Sequence, residues 1–198
     1  MKRLIDVIVS VAALLLLAPV FAVVALMVRW KLGRPIVFRQ LRPGLHGEPF
    51  WLIKFRSMHE LCESASAPRS DADRLDDFGR RLRSTSLDEL PELWNVLRGD
   101  MSLVGPRPLL MEYLPLYSPR QARRHEVRPG LTGWAQVHGR NATSWRARLE
   151  LDVWYVDNHS LWIDLVVIWQ TIWLVLSRSG TQHTGHATMP PFRGRQDD

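Results

Sequence analysis

The chain has 198 residues, 46% hydrophobic and 23% charged, enough for one domain with a sizeable core and too apolar for a disordered or collagen-like chain. Its single cysteine, Cys62, excludes an intramolecular disulfide and a cysteine-based zinc site. The net charge of +6 is local: residues 1–60 hold nine Lys or Arg against three acids, and the remainder balances. A basic zone beside an apolar segment points to anionic lipid headgroups or phosphate. No nucleic-acid-binding motif is present, so nucleic acid is not an expected partner.

Residues 7–28 carry no charge. As one straight helix they would reach about 33 Å, enough to cross a bilayer. A signal peptide fits poorly, because the apolar run is too long and ends without a small-x-small cleavage site. A spanning helix and a re-entrant hairpin remain. Pro19, after Ala18, removes a backbone donor near the middle and breaks or kinks a helix there. The halves, 7–18 and 20–28, would reach about 18 Å and 14 Å, each roughly half a bilayer core. Both flanks are basic, with Lys2 and Arg3 before the run and Arg29, Lys31, Arg34, Arg39 and Arg42 after it. The positive-inside tendency then places both ends in the cytoplasm, which favours a helix that dips in and returns.

Residues 36–40 and 49–55 read as a β-hairpin joined by glycine and proline turns. The polar stretch 63–80 reads as a mobile loop or short surface helix. A helix is expected over 87–97, stopped by Arg98-Gly99, followed by a Gly/Pro-punctuated loop over 99–108. Residues 119–127 read as a short basic helix, and 128–141 as a second glycine-rich loop with a strand at 134–137. Helices follow over 144–158 and 161–176. The second is apolar and carries Trp162, Trp169 and Trp173 on one face, as in a helix lying in a membrane interface or packed into a core. The polar tail from Ser177 should fray. The expected class is α+β, mainly α. It comprises a membrane helix over 1–30, a compact catalytic domain with interfacial helices and a small hairpin over 31–180, and a flexible tail over 181–198.

Asp88 and Glu89 are the strongest candidates for chemistry. The plain alternative is a capping box, Ser86 to Glu89, closing a helix start. Pro91 complicates that reading, since it would sit inside the first turns. Around the acids lie arginines flanked by Gly or Pro or close to them: Arg83, Arg107, Arg128 and Arg140. Lys54 and Arg56 add two cations at the end of the second strand. Guanidinium forks bind phosphate bidentately, and Gly/Pro loops let the backbone approach. A general preference for Arg codons explains Arg over Lys but not this placement. The histidines show no zinc spacing. No serine-hydrolase elbow, Walker A loop or Rossmann fingerprint is present.

Five motifs in order resemble the bacterial sugar transferase family, the monotopic polyprenyl-phosphate phosphoglycosyl transferases. They are Lys54-Phe-Arg-Ser-Met58, Arg83-Ser-Thr-Ser-Leu-Asp-Glu-Leu-Pro91, Leu93-Trp-Asn-Val96, Gly99-Asp-Met-Ser-Leu-Val-Gly-Pro-Arg-Pro108 and Arg128-Pro-Gly-Leu-Thr-Gly-Trp-Ala-Gln-Val137. The resemblance implies a UDP-sugar donor bound with Mg²⁺, with Asp88 and Glu89 as metal-binding and catalytic acids. Asp88 would attack the sugar-bearing phosphate, expel UMP and form a phosphosugar–aspartyl intermediate, which undecaprenyl phosphate then takes up. Lys54, Arg56, Arg83, Arg107, Arg128, Gln136 and Arg140 would serve the substrates. The resemblance further implies the bacterial inner membrane, with the catalytic domain on its cytoplasmic face and membrane lipids as partners; a homodimer is left open.

Two positions depart from the family pattern. Ala18 stands where a serine commonly precedes the proline, and His138 where an asparagine commonly follows Gln-Val. The competing reading from another class is a single-span protein whose cytoplasmic domain binds anionic lipid or phosphate without turnover. Topology and UMP release separate the two.

Overall fold

The computed structural model describes residues 1–59, 74–139, 144–177 and 191–194. The apolar N-terminal run forms two helices, α1 (Lys2–Leu16) and α2 (Ala18–Lys31), bent by 64° at Leu17. Pro19 lies in the first turn of α2, where its missing N–H is one of the donors that lack a partner anyway. Continuing α1 straight through would instead drive the proline ring against the preceding turn. No single helix among the described residues is long and apolar enough to cross a membrane, whereas the bent pair together meets that length and composition.

The first turn of α1 is tied to the rest of the molecule. Lys2 donates to Asp164 at 2.5 Å, to the Tyr155 hydroxyl and to the Val104 carbonyl. Arg3 donates to the carbonyls of Val96 and Leu97 in the last turn of a helix. Asp6 is buried and accepts from the Ser102 hydroxyl at 2.9 Å and the Leu103 N–H at 3.1 Å. Lys2 and Arg3, expected only as a basic flank, are therefore tertiary contacts as well.

Strands β1 (Val37–Pro43) and β2 (Pro49–Phe55) form the expected hairpin, with β1 running further than foreseen. Its turn holds His46 and Gly47 at φ of 56° and 80°. The pleat places Phe50, Leu52 and Lys54 on one face of β2, and the register sets Arg42, Gln40 and Phe38 opposite them. That face carries the core residues Phe50 and Leu52, so Lys54 points inward with them.

Helix α3 (Asp77–Ser84) begins at Asp76, whose carboxylate caps the Gly79 N–H at 2.7 Å. The helix expected over 87–97 is divided. A 3₁₀ turn, Leu87–Glu89, is followed by α4 (Glu92–Arg98), with Pro91 at its N-cap and Gly99 at φ 98° stopping it. Asn95 in α4 donates to the Trp51 carbonyl and accepts from the Ile53 N–H, satisfying β2 edge groups. The two glycine-rich loops hold a pair of parallel strands, β3 (Ser102–Val104) and β4 (Gly130–Thr132). A Cβ at Gly105 would lie 2.3 Å from the Arg128 carbonyl and one at Gly130 2.0 Å from the Gly105 nitrogen, so both must be glycine. The strand expected at 134–137 is instead helix α6 (Trp134–His138); the strand lies just before it.

The basic segment gives α5 (Pro119–Ala122) and a 3₁₀ turn, Arg123–His125. Helices α7 (Trp145–Asn158) and α8 (Leu161–Leu176) form where expected, each capped by a serine. On α8, Val167 and Asp164 face the core, while Trp162, Trp169 and Trp173 are 73%, 70% and 65% exposed. Phe192, in the stretch expected to be a tail, is 4% exposed and packs with Tyr113 and Trp145.

Replacing Asp6 by Ala strands two buried donors. Asp6→Ala should lower stability by about 2–4 kcal/mol, read as an earlier unfolding transition in detergent, with Asp6→Asn intermediate.

Candidate functional site

The expected capping box does not form. Ser86 takes a left-handed conformation, φ 55°, and its side chain caps nothing. This turn releases Glu89, which accepts from Lys54 at 2.7 Å and from Arg107 at 2.5 Å, both on Oε1. Lys54 also pairs with Glu92 at 2.8 Å. The inward face of β2, the 3₁₀ turn, the start of α4 and the Pro106-Arg107-Pro108 loop thus meet in one cluster of charges.

Asp88 is 7% exposed and its carboxylate accepts no hydrogen bond from the described residues. Burial and the neighbouring Glu89 push its pKa up to about 6, against Lys54, Arg83 and Arg107, which favour the charged form. Burial would raise Glu89 too, but Arg107 and Lys54 outweigh it and hold Glu89 down at about 2. Glu92, 2% exposed, is pushed up to about 7 by burial and by Glu89. Arg107 is held firmly charged by Glu89. At neutral pH the site therefore presents an ionised, unbonded Asp88 carboxylate beside a locked Glu89.

Of the substrate residues expected from sequence, Lys54 and Arg107 sit in this cluster and Arg83 acts on Asp88 through its charge. Arg83 also donates to the Ser57 hydroxyl at 2.9 Å. Arg56 is buried and donates to the Leu32 and Arg34 carbonyls, joining β2 to the end of α2. Arg128 donates to the Gly99 carbonyl at 2.9 Å. Gln136 donates to the Leu131 carbonyl, and its Oε1 is buried with no hydrogen-bond partner among the described residues. Arg140 lies outside the described residues.

Sequence reasoning missed Glu92 and Arg124. Glu92 follows Asp88 and Glu89 by one helical turn, a spacing that could have marked it. Arg124 pairs with Asp152 at 2.8 Å, both buried, and donates to the Arg107 carbonyl at 2.6 Å, which braces the loop that carries Arg107. Nothing in the local sequence signals that link, because Arg124 and Asp152 are far apart in the chain.

Among the described residues no three His, Cys, Asp or Glu side chains converge as a cation cage. Mg²⁺ needs only one or two carboxylates when phosphates and water complete its shell. The open carboxylate of Asp88 and the second oxygen of Glu89, which no described residue bonds, meet that need.

A family model described as bacterial sugar transferase matches residues 1–178. The uncharacterized sugar transferase EpsL of Bacillus subtilis is 51% identical, over 100% of this chain and 98% of that protein. A UDP-glucose:undecaprenyl-phosphate glucose-1-phosphate transferase of Caulobacter vibrioides is 44% identical over 86% of this chain and 68% of its own length. A UDP-galactose-lipid carrier transferase of Erwinia amylovora is 38% identical over 91% of this chain, which covers only 41% of that relative.

Lys54 separates Glu89 from Glu92. Lys54→Met should destabilise the fold by roughly 3 kcal/mol, the lower end for breaking a buried pair. Adding Glu92→Gln to it should recover part of that loss, measured by chemical denaturation in detergent.

Proposed function

We propose a function from one premise: the chain belongs to the bacterial sugar transferase family. The protein transfers a phosphosugar from a UDP-sugar to a polyprenyl phosphate, the reaction named for the Caulobacter relative with undecaprenyl phosphate. The observation that carries this reading is the Asp88 carboxylate, buried and unbonded among Lys54, Arg83 and Arg107.

A carboxylate approaches an anionic diphosphate only where charge is screened. Lys54, Arg83 and Arg107 supply that screening. An Asp88 oxygen attacks the sugar-bearing phosphorus, and the bond to the nucleotide phosphate breaks, releasing UMP. A phosphate oxygen of the polyprenyl phosphate then attacks the same phosphorus, and the Asp88 carboxylate leaves as it began. The product is a polyprenyl diphosphate sugar. Glu89 keeps Lys54 and Arg107 in place throughout. Mg²⁺, when held by Asp88 and Glu89, neutralises charge on the diphosphate.

A re-entrant membrane helix is supported by the anchoring of both ends of the α1–α2 pair to one domain. Lys2 and Arg3 bind it at the start, and Arg56 holds the Leu32 and Arg34 carbonyls at the finish. A crossing helix would need those ends on opposite faces of the bilayer. Leu4, Ile8, Leu15, Leu16 and Leu26, all well exposed, then lie in the acyl region, and the α8 tryptophans at the headgroups. On this reading the site sits on the cytoplasmic face of the bacterial inner membrane.

Detergent-purified protein with Mg²⁺, undecaprenyl phosphate and a panel of UDP-sugars should release UMP with at least one donor. Asp88→Asn and chelation by EDTA should each abolish release. Silence with every donor, or undiminished release by Asp88→Asn, would overturn the reading.

A further inference from the structure

A cavity of about 180 Å³ adjoins the acid cluster, with Arg42, Lys54, Glu92 and Arg107 on its polar side and Tyr113 and Trp145 on its apolar side. Lys54 and Arg107 also hold Glu89, so the cavity shares a wall with the Asp88–Glu89 site, while Asp88 does not line it. Arg42 is a cation that the reaction described above leaves without a role. The strand register sets it opposite Phe50, on the hairpin face that also carries Lys54. Arg42 donates to the Gln40 side chain at 2.6 Å, but its Nε is buried with no hydrogen-bond partner among the described residues. A buried donor of this kind is costly unless a ligand accepts from it. Burial and the nearby Arg107 both lower the pKa of Arg42, to about 10. Glu92, on the same cavity wall, works the other way and favours the charged guanidinium.

We propose that this cavity receives the nucleotide half of the donor, with Arg42 binding the phosphate that departs in the nucleoside monophosphate and the Tyr113–Trp145 wall lying against its base. The inference rests on the phosphosugar-transfer reading. In that reaction the attacking and leaving oxygens lie roughly in line through the transferring phosphorus. As the Asp88 oxygen bonds to phosphorus, the electron pair of the breaking P–O bond passes to the nucleotide phosphate on the side away from Asp88. Lys54 and Arg107 border both places, touching Glu89 beside Asp88 and lining the cavity. The charge that develops on the leaving phosphate then falls to Arg42, whose planar fork suits a phosphate.

Size agrees with this division. Pockets that hold a whole ligand are roughly 300–1,000 Å³, so this one takes a part of the donor. Tyr113 and Trp145 meet edge to face, with ring centroids 5.7 Å apart, and give the cavity a stiff aromatic wall. Polyprenyl phosphate shares the phosphate but not the ring, and its chain belongs with the exposed apolar faces of α1, α2 and α8.

The test is equilibrium titration of the whole detergent-purified chain with UMP and, separately, with undecaprenyl phosphate. Wild type is compared with Arg42→Ala, Arg42→Lys and the cavity-filling Leu110→Trp. UMP should bind about tenfold or more weakly to Arg42→Ala, recover in part with Arg42→Lys and weaken again with Leu110→Trp, while lipid binding stays unchanged. Unaltered UMP affinity in Arg42→Ala and Leu110→Trp would overturn the proposal. A loss confined to undecaprenyl phosphate would also overturn it and put the lipid phosphate there. If Arg42→Ala does not fold, Leu110→Trp, which leaves every ion pair in place, decides the matter. Failure of the wild type to release UMP from any donor counts against the underlying reaction. Normal turnover with unaltered UMP binding in the variants counts against the cavity alone.

Discussion

Three carboxylates within little more than one turn of chain cannot share a buried site unless cations stand between them. Asp88, Glu89 and Glu92 do so because Lys54 and Arg107 reach them from two other parts of the chain. The rest of the fold can be read as what delivers those two cations. The β-hairpin pleat turns Lys54 inward beside Phe50 and Leu52. The paired glycine loops and the buried Arg124–Asp152 pair hold the backbone around Arg107. With both cations committed to Glu89, Asp88 is left charged and without a bond, the state a nucleophile requires.

The same economy governs the bent apolar helix pair. An apolar helix pair with a 64° bend would be held weakly by its own hydrogen bonds alone. Its first turn is fastened by Lys2, Arg3 and Asp6, and its last by Arg56. Lys2, Arg3 and Asp6 bond backbone groups of the catalytic domain, and Arg56 bonds those at the end of α2, so the helix pair is held to the domain at both ends. Like α1 and α2, α8 leaves large apolar side chains exposed, its tryptophans foremost.

Much of this was legible in the sequence where the signal was local. A break beside Pro19, the hairpin, the helices over 144–158 and 161–176 and the candidacy of Asp88, Glu89, Lys54 and Arg107 all follow from motifs or periodicity, although the bend falls at Leu17, one residue before Ala18. Other features need distance. The capping box at Ser86 looked sound, but Glu89 gains more from two cations than from a helix end, and Ser86 turns left-handed instead. The parallel β3–β4 pair is too short for a periodic signal and depends on glycines meeting across a gap in the chain. Asp6 looked like a lone acid at the edge of an apolar run, and only the fold brings Ser102 and Leu103 to it. Arg42 was one more cation in a basic flank until the strand register put it on the face of Lys54.

The central claim is that Asp88 carries the phosphosugar. The most direct measurement incubates the protein with Mg²⁺ and an active UDP-sugar in the absence of polyprenyl phosphate, then digests it and maps the added mass within residues 84–98. The account expects a phosphosugar adduct on Asp88 that disappears when undecaprenyl phosphate is added. Turnover with an adduct on another residue, or with none trapped at any time, would contradict it.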